Sequence, residues 1–404
     1  MFKKIFLCAL FILCGNSFSQ TTTVNQALIC GHEHNPLVYE QLNFGLYWFT
    51  DFQGRSYCKP ATMANTFFNP SKPHTLIFVH GWSPYSVVKQ KRFNFDAHDI
   101  QGPDTSDLVA EWLKGSYGDK KPWNIGVFYW NQFADESSPD NNVLQLLTVV
   151  KNTEEKIWST EGPDKMRWRD AHNQLHAIPE NLKNQNLTEI FFNQYINALK
   201  NYQGDIRLVG ASLGTQLVIR VSAMIGQAVA AGKLPLNLLP KQLVLIDPVI
   251  TNNHDSAHMK SLLADIKQLE SQGVIISGYR TSILGDSLPQ TDDNTQLLKY
   301  TAFTQLDPCV YPTTALMLRH TMGIWWYFLS YSLKGIRVTN NQQFISAPYA
   351  NSSELSLRKL MNINSFAFKS DYYHNALLNH QCRSNALNEE WYRWQVKTIN
   401  KTEM

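Results

Sequence analysis

Short apolar runs separated by amphipathic stretches organise most of this chain. Leu46-Tyr47-Trp48-Phe49-Thr50 reads as an early strand. Thr75–Val79, Ile125–Trp130, Ile206–Val209, Gln242–Ile246 and Gly273–Ser277 are further runs of strand length. They are apolar throughout rather than alternating, the pattern of strands buried on both faces of a parallel sheet. The stretches between them have helical spacing. From Thr188 to Asn201, Ile190, Phe191, Tyr195, Ile196 and Leu199 share one side. Thr215 to Ala231 is a long helix pattern, and Asp255 to Leu269 places Met259, Leu262, Leu263 and Ile266 on one face. Lys299 to Phe303 is a candidate last strand. Buried strands alternating with helices predict a mostly parallel sheet covered on both faces.

Two segments break the alternation. Residues 134–187 lie between a strand and the next helix, and are polar and Pro-interrupted, yet they carry Ile157, Trp158, Met166 and Trp168. An insert of that length reads as a lid over a site or as a surface subdomain. The tail, residues 336–404, is Asn- and Ser-rich and ends in a predicted helix around Glu389–Trp394. It is expected to pack as an extension on a main domain of residues 20–335.

Composition narrows the compartment and the partners. Met1-Phe2-Lys3-Lys4, the apolar run Ile5–Cys14 and the small residues of Ser17-Phe18-Ser19 predict a secretory signal peptide over residues 1–19. That makes the protein secreted or periplasmic. Cys30, Cys58, Cys309 and Cys382 then remain, an even number that suggests two disulfides in an exported chain. Of the three pairings, nearness in sequence favours Cys30–Cys58 and Cys309–Cys382. The formal net charge of +3 leaves no electrostatic footprint for nucleic acid. No run of ~20 apolar residues follows the leader, so no spanning helix is expected. Aromatics are abundant, with 11 Trp and 17 Tyr; most belong in a core.

The chemistry centres on Gly210-Ala211-Ser212-Leu213-Gly214. This G-x-S-x-G pattern falls between a predicted strand and a predicted helix, where a sharp turn lifts a serine hydroxyl off the sheet. A serine needs a base, and the base needs an orienting acid. Asp247 follows the next buried strand, at the sheet edge where open α/β folds place their sites. Asp286 is the rival acid. His320 is the preferred base, expected on a loop just ahead of the apolar helix that starts at Thr321; His374 and His380 are alternatives in the tail. An oxyanion would be held by the amide of Leu213 and that of Trp82, which follows strand 75–79 in His80-Gly81-Trp82-Ser83. His80 reads as a structural group that orients this loop. His254 and His258 have helical metal-ligand spacing, and His32 and His34 alternate, but no third ligand is identifiable; both pairs read as solvated surface histidines and no metal site is expected.

These motifs, in their order, resemble the pancreatic-lipase-like superfamily of secreted triacylglycerol lipases and A1-type phospholipases. The carriers are His80-Gly81-Trp82-Ser83, Trp130, Gly210-Ala211-Ser212-Leu213-Gly214, Leu245-Ile246-Asp247-Pro248, and Arg319-His320 with the aromatic helix Trp325–Ser332. The resemblance covers roughly residues 40–335 and implies an α/β-hydrolase fold, a lipid ester substrate and no cofactor. It favours Asp247 over Asp286. The chain departs from that family in having Ala211 before the serine, and only Cys309 near His320.

The expected function is therefore that of a secreted serine hydrolase of lipid carboxylic esters, working at a membrane or lipid-droplet surface through Ser212, His320 and Asp247. The competing expectations are a non-catalytic lipid- or protein-binding member of the fold, and an acyltransferase or esterase for soluble substrates.

Overall fold

A computed structural model of the chain describes residues 28–29, 39–52, 55–61, 66–93, 112–113, 121–136, 143–160, 166–251, 257–284, 294–306, 315–332, 337–340, 343–346, 348–362, 367–370 and 397–399. The chain enters through β1 (Leu28–Ile29), β2 (Gly45–Phe52) and β3 (Arg55–Pro60). Next come β4 (His74–Val79), β5 (Trp123–Tyr129), the short helix α1 (Asn131–Ala134), α2 (Val143–Trp158) and a small hairpin of β6 (Trp168–Arg169) and β7 (Leu175–His176). α3 (Leu187–Leu199), β8 (Asp205–Ala211), α4 (Gly214–Ala230), β9 (Gln242–Ile246), α5 (Ala257–Ser271), β10 (Ile275–Arg280), α6 (Thr295–Leu298), β11 (Ala302–Leu306) and α7 (Leu316–Leu329) complete the alternation. A second hairpin of β12 (Arg337–Asn340) and β13 (Gln343–Ser346) follows, then α8 (Glu354–Met361), β14 (Ala367–Ser370) and β15 (Lys397–Ile399).

The main sheet has the order β1-β3-β2-β5-β4-β8-β9-β10-β11-β14-β15. Every pairing from β5 to β14 is parallel, with antiparallel strands at both edges. Strand order reverses at β4, which has β5 on one side and β8 on the other. In open α/β sheets such a reversal opens a crevice beyond the carboxyl ends of the strands, where ligands bind. This mostly parallel sheet, helix-covered and with that strand order, is an α/β-hydrolase fold.

Side chains alternate between two cores along each strand, as the pleat requires. Ile77, Val79, Leu208, Leu243 and Leu245 join the core beneath α3, α4 and α5. Leu76, Phe78, Val209, Val244 and Ile246 join the opposite core, which is dominated by Trp112, Trp123, Tyr129 and the aromatic residues of α7. Helix α3 starts with a capping box: Asn186 accepts from the Glu189 amide (3.0 Å) and Glu189 accepts from the Asn186 amide (2.9 Å).

Three segments differ from expectation. The described part of the insert packs into the body of the protein. Ile157, Met166 and Trp168 belong to the main core. Glu136, nearly fully buried, pairs with Lys156 (2.6 Å) and Arg167 (2.7 Å). The tail adds strands to the sheet, β14 beside β11 and β15 beside β14; the helix expected near Glu389–Trp394 lies outside the described residues. The last expected strand begins later, at Ala302, because Thr295–Leu298 forms a helical turn. Cys58 is buried and disulfide-bonded; Cys30, Cys309 and Cys382 lie outside the described residues, as do residues 1–27. No described helix is long and apolar enough to cross a membrane.

Candidate active site

Ser212 sits between β8 and α4 with φ of 55°, a left-handed conformation that costs a residue with a side chain about 1–3 kcal/mol. Close packing holds it there. A Cβ on Gly210 would lie 2.5 Å from the Gly214 carbonyl oxygen. A Cβ on Gly214 would collide with the carbonyls of Val79 and His80, at the end of β4. The Ser212 amide donates to the Ile246 carbonyl (2.9 Å), and its carbonyl accepts from the Thr215 amide (3.1 Å) and hydroxyl (2.6 Å). The turn is thus fastened to both neighbouring strands. Helix α4 begins at once, with no side chain capping its start; the positive end of its dipole faces the serine.

Asp247 follows β9 with φ of 42°. Its amide donates to the Tyr279 carbonyl (2.8 Å). Its carboxylate accepts from the Thr281 amide (2.7 Å), the Thr281 hydroxyl (2.7 Å) and the Ser282 amide (3.3 Å), all just past β10. These donors fix a buried carboxylate in one orientation. Its Oδ2 lies 3.1 Å from Nδ1 of His320, and the Ser282 hydroxyl lies 3.5 Å from the same nitrogen. Facing a carboxylate, Nδ1 carries the proton, which leaves Nε2 free to accept one. His320 is in the second turn of α7, not on a loop ahead of it. A helix that packs at the sheet edge can deliver it because Gly323 allows close approach: a Cβ there would lie 2.8 Å from Ile246 and 3.0 Å from the Thr281 hydroxyl.

Ser212 and His320 line a single cavity of about 320 Å³ beyond the ends of β4 and β8. Gly81 and Trp82 form another part of its wall. A Cβ on Gly81 would sit 2.5 Å from the Ser212 Cβ, so only glycine lets this loop pass so close. Neither the Trp82 nor the Leu213 amide has an acceptor among the described residues.

His80 is fully buried and neutral. It faces the Gly81 carbonyl through Nδ1 (2.8 Å), accepts from the Trp130 amide at Nε2 (3.3 Å), and its carbonyl accepts from the Trp130 indole (2.8 Å). Burial pushes its pKa down to about 4, partly offset by the bond to Gly81. It shapes the Gly81–Trp82 loop, as its place in the sequence predicts.

Several supports were not legible as a motif. The Trp82 indole donates to the Glu136 carbonyl (2.7 Å) and the Ser83 amide to that of Ala134 (3.2 Å). Asp135 accepts from the Tyr85 and Val87 amides (2.5 and 2.9 Å), and burial raises its pKa. The insert therefore begins as the scaffold of the Gly81–Trp82 loop. Farther on, Glu154 of α2 accepts from Gln216 of α4 (2.8 Å) and from the Thr251 amide (2.8 Å) and hydroxyl. His258 is not a solvated surface residue: it stacks on Trp158 at 4.2 Å, with Nδ1 3.4 Å from Glu154. A buried carboxylate thus links α4 to the segment after Asp247. Only paired spacing in the sequence hinted at His258, and nothing hinted at Glu154.

Asp286, His374, His380, His254, His32 and His34 lie outside the described residues. Among the described residues no group of three or more His, Cys, Asp or Glu could hold a metal ion.

No family model matches this chain, and no curated protein matches it. Solved structures are similar at low identity. A lipase-esterase related protein from Clostridium acetobutylicum is 14% identical over 49% of this chain and 50% of its own, with a TM-score of 0.17. The thioesterase domain from the curacin biosynthetic pathway is 13% identical over 56% and 53%, with a TM-score of 0.21. The NocB thioesterase domain, in covalent complex with a fluorophosphonate nocardicin G analogue, is 12% identical over 57% and 80%, with a TM-score of 0.19. This chain spans about half the length of the first two.

Proposed function

We propose that the protein is an exported serine hydrolase that cleaves carboxylic esters of lipids. The observation that carries this reading is the contact between Asp247 and His320 (3.1 Å) at a cavity that Ser212 also lines. His320 Nε2 takes the proton from the Ser212 hydroxyl as its oxygen attacks the ester carbonyl. The C–O bond to the alcohol then breaks, and the imidazolium returns the proton to the leaving oxygen. Water attacks the acyl-serine by the same route, freeing the acid and restoring the serine. Asp247 holds the ring and stabilises its charge. The amides of Leu213 and Trp82 hold the tetrahedral oxygen, a contribution worth about 3–4 kcal/mol per donor in such sites.

Two features support a lipid acyl chain. Val150, Val249, Leu284, Met317 and Ile324 give the cavity apolar walls. Exposed apolar side chains adjoin them: Met317 itself, its neighbour Leu318, and Ile283 next to Leu284.

The test is labelling by a fluorophosphonate, comparing the wild type with Ser212→Ala. The expected result is labelling of the wild type alone, followed by turnover of triacylglycerol or phospholipid. A folded wild type that neither labels nor turns over an ester, with or without lipid present, would overturn the hydrolase reading in favour of a binding protein.

A further inference from the structure

A buried acid that the proposed reaction does not use stands behind the apolar wall of the cavity. Glu154 is 1% exposed. It comes from α2 of the insert, one turn after Val150, which lines the cavity. Three donors converge on its two oxygens. The Thr251 amide (2.8 Å) and hydroxyl meet Oε2, and Gln216 Nε2 meets Oε1 (2.8 Å). Nδ1 of His258 faces Oε1 at 3.4 Å. Further bonds extend the network. The Trp158 indole donates to Gln216 Oε1 (2.6 Å), Gln216 Nε2 also donates to the Val249 carbonyl (2.8 Å), and Asn294 donates to the Pro248 carbonyl (2.6 Å).

Gln216 lies one turn after Ser212, on α4, while Val249 and Thr251 line the cavity. The bonds therefore run from the helix behind the serine to the wall beside it. A carboxylate suits this place because it accepts at both oxygens and donates nothing. An amide would turn its N–H₂ group towards one of the donors and leave that donor unpaired in a buried site. The Thr251 hydroxyl has one proton to give, and Glu154 takes it. Val150 and Val249 thus stand on two segments that Glu154 joins, and the spacing of those segments sets the room for an acyl chain.

We infer that Glu154 is a positioning residue for acyl recognition: it fixes the Val249–Thr251 segment against α2 and α4, and so sets how strongly the site discriminates between acyl chains of different length. The inference rests on the ester-hydrolase reading of the same cavity. Loosening the segment spares the contact between Asp247 and His320, which lies outside this network, and opens gaps along a long chain. A gap of about 0.5–1 Å already forfeits a large part of each dispersion contact.

The test uses the full chain with p-nitrophenyl acetate and p-nitrophenyl octanoate. The wild type is expected to favour the octanoate by at least about tenfold in kcat/KM. Glu154→Gln is expected to cut that ratio by at least about fivefold, mainly through the octanoate KM, with the acetate losing much less. Equal losses on both esters would assign Glu154 a merely structural role and overturn the inference, as would an unchanged ratio or a wild type that does not favour the octanoate. If Glu154→Gln fails to fold, Thr251→Val decides, since it makes the wall more apolar while removing the hydroxyl bond to Glu154. A ratio lowered by about threefold or more supports positioning by Glu154; a smaller fall, or a ratio that holds or rises, means that apolar contact alone selects the chain and refutes it. A wild type that cleaves neither ester sinks the hydrolase reading by itself, and calorimetry with 1-hexanol and 1-octanol then decides on the wild type and the same variants. An affinity gap of about tenfold in the wild type that at least halves in the variant supports the inference independently of turnover. No gap in the wild type, or the same gap in both, overturns it.

Discussion

The two faces of the sheet are built from different material, and each supplies a different part of the site. One face is largely aliphatic: Leu208, Leu243 and Leu245 meet Leu217, Val218 and Val221 of α4. The other is aromatic. There Trp112 stacks on Tyr331 at 3.7 Å and its indole donates to the Phe328 carbonyl (3.2 Å), while Phe78 meets Phe328 edge-on at 5.5 Å. Ser212 is held by the helix of the first face, and His320 is carried by the helix of the second. Asp247 stands at the sheet edge between them. Ser212 is therefore fixed by a local turn, and His320 by packing between segments far apart in sequence.

The largest expected effects concern the chemistry. Ser212→Ala should remove fluorophosphonate labelling and lower kcat by about 10⁴-fold or more, and Asp247→Asn should lower it by roughly 10⁴-fold. Initial rates on one soluble ester measure both. Asp247→Asn losing less than tenfold would mean that the 3.1 Å contact with His320 does not orient a catalytic base.

Next come the faces themselves. Phe328→Ala should cost about 3–5 kcal/mol and Leu217→Ala about 2–5 kcal/mol, read from urea unfolding. Under conditions where both variants stay folded, Phe328→Ala should also lower kcat more, because it loosens the helix that carries His320. Equal kcat losses would break the division of labour between the faces.

A smaller effect tests the loop between them. The neutral His80 ring has a pKa of about 4 in the fold against an ordinary 6.5. Between those values the unfolded chain takes up a proton that the folded chain refuses. The stability linked to His80 is therefore complete above pH 6.5 and falls as pH drops towards 4, by about 3 kcal/mol in all. Urea midpoints for the wild type and His80→Gln from pH 7 to 4.5 should converge on acidification. Parallel curves would mean that His80 is not held neutral.

How much could be read from the sequence follows the same division. The buried strands and the Ser212 turn were legible because adjacent residues specify them: an apolar run, then Gly210 and Gly214 around a serine. Asp247 was legible from its place after β9. The helical setting of His320 was not, since the residues that set the start of α7 do not form a capping motif; Ala315 caps it without a side-chain bond. No sequence pattern marks Thr281 and Ser282, and their contacts with Asp247 arise only when β10 lies beside β9. Asp135, Glu136 and Glu154 looked like polar residues of a surface insert. Each is buried through contacts with residues between 20 and 97 positions away, which no local pattern encodes. The tail's strands were missed for the same reason, as β14 gains its meaning only from β11.

The smallest predicted change is Gly323→Ala. Its Cβ would meet Ile246 at 2.8 Å and the Thr281 hydroxyl at 3.0 Å. Gly323 has no positive φ that demands glycine, and alanine favours a helix by up to about 1 kcal/mol. Overpacking works against that gain and costs about 1–3 kcal/mol. The two nearly cancel in stability, so the melting temperature should move little. Geometry does not cancel. Thr281 donates two bonds to Asp247, and Gly323 is one turn from His320, so the added methyl pushes the aromatic-face helix away from the acid it serves. A misplacement of this kind should lower kcat by about 10–100-fold with KM nearly unchanged. Full activity with unchanged stability would show that the helix can yield without moving His320, and that the aromatic face holds His320 less strictly than the β8–α4 turn holds Ser212.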